Sequence, residues 1–121
     1  MTTQEMANRY MELFRQGKSS EIQNTLYDAE VICREPEHAV ALGIPTLTKG
    51  LEAVKAKTKA RQEIIAEVHS SYCTEPSVGG DYFSVAMGRD ITFKDGQRRK
   101  FDEIAVFGVK GDKIVSETFF Y

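Results

Sequence analysis

The sequence lacks a strong net charge, a long hydrophobic run and an apolar leader. Its 16 Lys and Arg residues, against 18 Asp and Glu residues, leave a formal net charge of −2, which gives no electrostatic reason to expect nucleic-acid binding. No apolar run approaches the roughly 20 residues that span a bilayer. The N-terminal stretch MTTQEMANRY has no apolar signal core. We therefore expect a cytoplasmic protein that binds neither nucleic acid nor membranes.

Motifs for cofactors and metals are also missing. The chain has no glycine-rich phosphate loop, no serine nucleophile elbow and no paired-cysteine motif. The spacing of Glu35, Glu37 and His38 matches no compact metal site. The cysteines are Cys33 and Cys73, and without an export signal we expect both to be free, buried thiols. We expect neither a cofactor nor a metal ion.

The residues that are present predict one domain over residues 1–121, with its helices first. The chain is 41% hydrophobic and 28% charged, which is ordinary for a soluble globular domain. Apolar residues at helical spacing predict a helix over residues 3–16. Ser20 and Gln23 match a capping box that would start a second, short helix. A third helix is predicted from Gly50 to about Ile65, after an irregular loop over residues 36–49.

The remaining stretches alternate with a period of two and predict strands. They cover residues 30–35, 66–73 and 81–93, followed by a hairpin over residues 101–121 that turns at a Gly-Asp pair. Helices followed by consecutive antiparallel strands form an α+β layout. A long sheet of this kind curls, and helices on its concave side need not fill it. The unfilled space would be a pocket.

The alternation also assigns residues to faces of the sheet. Asp102 and Glu103 must point to opposite faces, so one of them is expected inside, and which one stays open. Both hairpin faces are largely apolar, so we expect both to be covered. Glu117 shares its face with Val115 and Phe119. Burial of a carboxylate is costly unless it is paired or protonated, so such acids indicate a site.

The long strand 81–93 separates into two different faces. One face carries Phe83, Met87 and Arg89 and is interpreted as core or pocket wall. Arg89 there is either half of a buried ion pair or a substrate clamp. The other face, with small residues beside Tyr82, suits solvent or a subunit interface.

Several short motifs occur in the same order as in a known superfamily. They are N-R-Y in the first helix, L-Y-D-A-E after the second, E-P at the end of the first strand, G-L-E-A-V in the third helix and G-D-K-I-V-S-E-T-F-F-Y at the end. In this the chain resembles the SnoaL-like polyketide cyclase and ketosteroid isomerase branches of the nuclear transport factor 2-like superfamily. The resemblance implies a cystatin-like cone, in which three N-terminal helices pack on a strongly curved, mainly antiparallel sheet, and a homodimer through the sheet.

The resemblance to ketosteroid isomerases also implies roles for particular residues. Tyr10 stands where a tyrosine donates a hydrogen bond to the substrate oxyanion. Glu35, before Pro36, stands where an aspartate acts as the base. Asp102 is the candidate for a protonated second donor, and Glu103 competes with it. SnoaL-like cyclases use late-strand Asp and His residues, and this chain has no histidine in its last strands.

The function implied is proton transfer on a small hydrophobic or cyclic carbonyl compound, giving isomerisation, dehydration or cyclisation. The alternative is a binding or interaction module that uses the same cone without catalysis. Glu35 could instead be a solvated or ion-paired strand end, Tyr10 a core residue, and His38 a loop histidine in solvent. The expected substrate-binding residues are Glu117, Arg89, Phe119, Met87, Phe83, His38 and Glu103.

Overall fold

The computed structural model covers residues 1–121 and contains four helices and seven strands. The helices are α1 (Thr3–Arg15), α2 (Ser19–Leu26), a 3-10 helix (Glu37–Leu42) and α3 (Leu51–Glu63). The strands are β1 (Tyr27–Arg34), β2 (Leu47–Lys49), β3 (Ile65–Cys73), β4 (Ser77–Gly79), β5 (Tyr82–Phe93), β6 (Arg98–Lys110) and β7 (Lys113–Phe120). No helix combines the length and apolarity needed to cross a membrane.

The strands form one sheet in the order β2-β1-β7-β6-β5-β3, and β4 pairs with the outer part of β5. All pairs are antiparallel except β1 with β7, which run parallel. The predicted α+β layout, with helices on a mainly antiparallel sheet, is confirmed. The 3-10 helix and the short strands β2 and β4 were not predicted, because each is too short to show a repeating pattern.

The helix starts differ from the prediction. Thr2 caps α1 in a capping box with Glu5, a signal that the sequence contains but that was overlooked. The capping box predicted at Ser20 is wrong, since α2 begins at Ser19 with no side-chain cap. The amide of Gln23 instead donates a hydrogen bond of 2.9 Å to the Thr58 hydroxyl of α3. That bond ties two helices together and leaves the amide unable to fold back on its own helix.

The core lies between α1 and the concave face of the sheet. Met6 and Leu13 of α1 are almost completely buried. Tyr10 joins them and packs against Phe83 and Phe107, with ring centroids 5.7 Å and 4.7 Å away. Each aromatic side chain buries a large apolar area, so this cluster is a main part of the core. Phe83 is therefore a core residue, and its role in ligand binding stays a prediction.

The hairpin β6–β7 turns at Gly111 and Asp112 as predicted, with Gly111 at a φ of 61°. One part of its predicted alternation is wrong. Gly108 pairs with Ser116 but the next residue, Val109, pairs with Ile114, so Val115 is an extra residue in β7. Because of this β-bulge, the residues of β7 that face the core have even numbers before Val115 and odd numbers after it. Ile114 is consequently buried in the core on the same face as Glu117, in place of Val115.

The convex face of the sheet is not covered by any part of the chain. Tyr82, Ile104 and Phe120 on this face are 57%, 51% and 55% exposed. The prediction that both hairpin faces are covered is therefore wrong for the isolated chain, because all the helices pack on the other side.

A glycine on β5 shapes this convex face. The Tyr72 hydroxyl of β3 reaches across β5 to Asp102 of β6, at 2.6 Å. Between them lies Gly88, where a Cβ would come within 2.5 Å of both the Phe101 carbonyl oxygen and the Tyr72 ring. Only a residue without a side chain lets the tyrosine lie this close to the sheet.

We expect Gly88→Ala to lower the free energy of unfolding by about 1–3 kcal/mol, because the added methyl group forces Tyr72 and the β6 backbone apart. Urea denaturation measures this. Gly79→Ala is the matched control, since Gly79 is also in a strand and a Cβ there would meet nothing within 4 Å. Equal stability of the two variants would contradict this description of the Gly88 contact.

Candidate functional site

The parallel pairing of β1 with β7 places acidic and thiol side chains together inside the fold. Cys33 of β1 lies beside Glu117 of β7 in the register of the two strands. Both are almost fully buried. Glu35 follows at the end of β1, with a side chain only 10% exposed. The apolar alternation of β1 thus ends in a carboxylate on the inner side of the sheet.

Lys57 of α3 supplies a positive charge to this group. Its ammonium nitrogen lies 2.8 Å from the Cys33 sulfur and 3.2 Å from a Glu35 carboxylate oxygen. It also lies 5.8 Å from the ring centroid of Phe119. Burial works against the charge, but the hydrogen bond with Cys33 and the nearby carboxylates Glu35 and Glu117 raise the pKa of Lys57. The side chain is therefore a cation at neutral pH.

Glu117 is the most buried acid, at 4% exposure. The Tyr27 hydroxyl donates a hydrogen bond to its carboxyl group. Burial raises the pKa of Glu117, and this outweighs the opposing effects of Tyr27, Lys57 and Cys33. Burial and Glu117 together raise the pKa of the free thiol of Cys33 to about 12, which makes it an unreactive thiol at neutral pH.

Tyr10 reaches the same region from α1. Burial, followed by Cys73 and the carboxyl groups of Glu117 and Glu103, raises its pKa well above the ordinary tyrosine value. Its hydroxyl therefore remains neutral and can donate a hydrogen bond.

The pairing of β5 with β6 shows which of the neighbouring acids Asp102 and Glu103 faces inward. Glu103 lies beside Met87 on the inner face. Burial and then Glu35 raise the pKa of Glu103, against the opposing effect of Arg61 and Arg89. Asp102 lies on the convex face, exposed and bonded to Tyr72. Glu103, and not Asp102, therefore faces inward. It joins the side chains that we call the interior group, which so far are Cys33, Glu35, Lys57, Glu117 and Tyr10.

Tyr121 lies next to Glu35, and His38 lies next to Tyr121. The ring of His38, on the exposed 3-10 helix, packs edge to face on Tyr121 with centroids 5.3 Å apart. Burial and a hydrogen bond with Glu35 raise the pKa of Tyr121. His38 therefore contacts the site through Tyr121 and not directly.

The structure brings most of the sequence-predicted residues to one place. In addition to Glu35 and Tyr10, the interior group includes Glu117, Glu103, Phe119, Met87 and Arg89. Lys57, Cys33, Tyr27, Tyr121 and Arg61 were missed. Lys57 follows the buried Val54 by three residues and so shares its face of α3. That spacing was the available signal.

Comparisons with known proteins agree with this architecture. A profile of the SnoaL-like domain matches residues 1–121. A crystal structure from Mesorhizobium loti, provisionally assigned as a SnoaL-like polyketide cyclase, is 31% identical, with a TM-score of 0.90 and coverage of 100% of both chains. A protein of unknown function with a cystatin-like fold from Xanthomonas campestris is 17% identical, with a TM-score of 0.79 and coverage of 99% and 90%. Among curated proteins, no relative matches the sequence.

These likenesses, over the whole chain, define a protein with the cystatin-like fold. The chain belongs to the SnoaL-like domain family.

The raised pKa of Glu117 makes a prediction about stability. The folded protein holds a proton on this group at pH values where the unfolded chain has released it, so stability falls as the pH rises from 4.5, the ordinary value, through the folded pKa. Glu103 acts in the same direction. We expect Glu117→Gln to reduce this loss, because a neutral amide has no proton to release.

Urea unfolding at a series of pH values between about 4 and 8 measures the effect. Glu63→Gln, at an exposed position of α3, is the control and should keep the wild-type slope. An unchanged slope in Glu117→Gln would show that Glu117 is not the titrating group.

Proposed function

We propose that this protein binds a small cyclic or carbonyl compound inside the cone and moves a proton on it, with Glu35 as the base. The observation that carries the proposal is that the inward-facing ionisable side chains lie close enough for their charges to interact. Tyr10 interacts with Glu103 and Glu117, and both of these interact with Glu35. A ligand among them would meet a base and neutral donors together, which is the arrangement that proton transfer next to a carbonyl requires.

In the proposed reaction, Glu35 removes a proton from the carbon beside the carbonyl, and the electron pair moves to the carbonyl oxygen. The hydroxyl of Tyr10 and the protonated carboxyl of Glu103 donate hydrogen bonds to the resulting oxyanion. Protonated Glu35 then returns the proton, to the same or to another carbon. A donor must be neutral for this role, and burial favours the neutral form of both Tyr10 and Glu103. The reaction needs no cofactor.

The names of similar proteins are consistent with a cyclic ligand. The Mesorhizobium loti protein carries a provisional assignment as a polyketide cyclase. A protein named TerC, 16% identical with a TM-score of 0.77, was co-crystallised with polyporic acid. These statements belong to those proteins, and they support the proposal without extending their substrates to this one.

A second candidate function is ligand binding without catalysis. The observation that favours it is the ion pair of Glu35 with Lys57, whose atoms lie 3.2 Å apart. A carboxylate held by an ammonium group is a weaker base than a free one. Under this alternative Lys57 and Glu35 would be a structural pair that shapes the cone.

Replacement of the base separates the two functions. We expect Glu35→Gln to lower the rate of hydrogen–deuterium exchange beside the carbonyl of a bound cyclic ketone by at least about 100-fold. Affinity should change little, since the amide keeps the shape of the side chain. Proton NMR in deuterated water, with oxocyclohexanecarboxylate and its methyl ester as probes, measures the exchange. Glu37→Gln, on the exposed 3-10 helix, is the control.

If the wild-type protein binds a probe and accelerates its exchange no more than the Glu35→Gln variant does, the catalytic proposal fails and the binding function remains.

We also propose that the protein is a homodimer through the convex face of the sheet. Besides the exposed Tyr82, Ile104 and Phe120, this face has two concavities of about 280 and 340 Å³, both lined in part by Tyr82. Apolar side chains at such exposure are stabilised by burial against a second copy.

We expect sedimentation velocity to show a dimer at micromolar concentration. Ile104→Glu should weaken it by on the order of 2 kcal/mol or more, because a carboxylate would lose its hydration in the interface. Val40→Glu, at an exposed position of the 3-10 helix, should leave it unchanged. A monomeric wild-type protein would contradict the proposal.

A further inference from the structure

Two arginines lie together at the end of the cone formed by α3, β5 and β6. Arg89 of β5 stands opposite Phe101 of β6 in the strand register. Arg61, near the end of α3, holds its guanidinium carbon 4.9 Å from the centroid of the same ring. All three residues are half-buried. Two cations thus meet around one aromatic side chain while remaining accessible from outside.

Neither guanidinium has an acidic partner at bonding distance. The ion pairs of this protein within 4.0 Å involve other residues, as do its side-chain hydrogen bonds. Burial and the nearby Arg61 lower the pKa of Arg89, so the charge of Arg89 is destabilised where it stands. Because Arg89 is half-buried, water does not fully hydrate its charge. The free-energy cost of holding two cations close together is therefore higher than it would be in solvent. The pair is an unmatched positive site.

The acids nearby do not neutralise it. Glu103 is close enough to interact with both arginines through charge, but it forms no ion pair with either. Its carboxyl group is also biased toward the neutral form by burial and by Glu35. Glu35 itself is bound to Lys57. One carboxyl group that forms no ion pair cannot balance two guanidinium groups.

We propose that the ligand of this protein carries a carboxylate group, which Arg61 and Arg89 bind together. Guanidinium groups match the planar geometry of a carboxylate with paired N–H donors, and they bind it more strongly than they bind a neutral carbonyl. The ring of Phe101 holds Arg61 in place and gives the apolar part of a ligand a flat surface. This inference rests on the proposed function and names the substrate class of that site.

The position of the arginines also orients the ligand. On β6 the next inward-facing residue after Phe101 is Glu103, and on β5 the residue that faces it is Met87. An acid held by Arg61 and Arg89 would therefore direct its remaining atoms past Met87 toward Glu103. Beyond Glu103 is Glu35, with which it interacts. The expected substrate is a small cyclic keto acid, bound by its carboxylate with its carbonyl directed inward.

Binding of an acid and of its ester tests this inference directly. We expect the wild-type protein to bind oxocyclohexanecarboxylate at least about tenfold more tightly than the methyl ester, since the ester keeps the ring and ketone but lacks the charge. Isothermal titration calorimetry measures both affinities. Arg61→Gln and Arg89→Gln should each remove most of this preference. Arg34→Gln, at an exposed position of β1, is the matched control and should retain it.

Equal affinity for the acid and the ester, or binding of neither, would overturn the inference. So would a preference that persists in both arginine variants. Arg61 lies near a helix end and half in solvent, so Arg61→Gln keeps the test valid if Arg89→Gln fails to fold. If the acid binds preferentially but undergoes no exchange, the carboxylate site stands and the proposed catalysis fails.

Discussion

The interior of this protein depends on the contacts that the ammonium group of Lys57 makes. Three acids, Glu35, Glu103 and Glu117, face inward from a sheet whose inner face is mostly apolar. Acids in such surroundings stay charged only beside a cation and otherwise become protonated. Lys57 holds Glu35 directly and acts on Glu117 through charge. It also fixes α3 to β1, so the same contact joins the fold to the site.

The resulting distribution of charge explains why one protein can hold both a base and neutral donors. Glu35 lies beside the ammonium group of Lys57, at 3.2 Å. Glu103 and Tyr10 lack a bonded cation, and burial favours their protonated forms. Groups with similar chemistry are thus separated into acceptors and donors by their surroundings. The arginines at the end of the cone add positive charge where no acid of the chain matches it.

The sequence was sufficient for features that depend on local periodicity. The helix over residues 3–16, whose Met6 and Leu13 are buried, followed from its helical spacing. Alternation also showed that Asp102 and Glu103 oppose each other, but not which of them faces inward. Both faces of β6 carry apolar residues, so the pattern was symmetric. The fold resolves it because all helices pack on the Glu103 side.

Other features were beyond prediction because they arise from pairing between distant residues. The bulge at Val115 exists only in relation to the register of β6, and it moves Ile114 into the core. The reach of Lys57 to Cys33 depends on how α3 crosses β1. Such contacts join positions that no local repeat connects.

Titration of the carboxyl carbons of Glu103 and Glu117 by carbon-13 NMR tests the account most directly. We expect both groups to titrate above the ordinary glutamate value of 4.5. Replacement of Lys57 by Met should raise the midpoint of Glu117 further, because the cation that favours its charged form is gone. Titration of both groups at the ordinary value, with no response to the Lys57 substitution, would contradict the view that these residues form one coupled interior site.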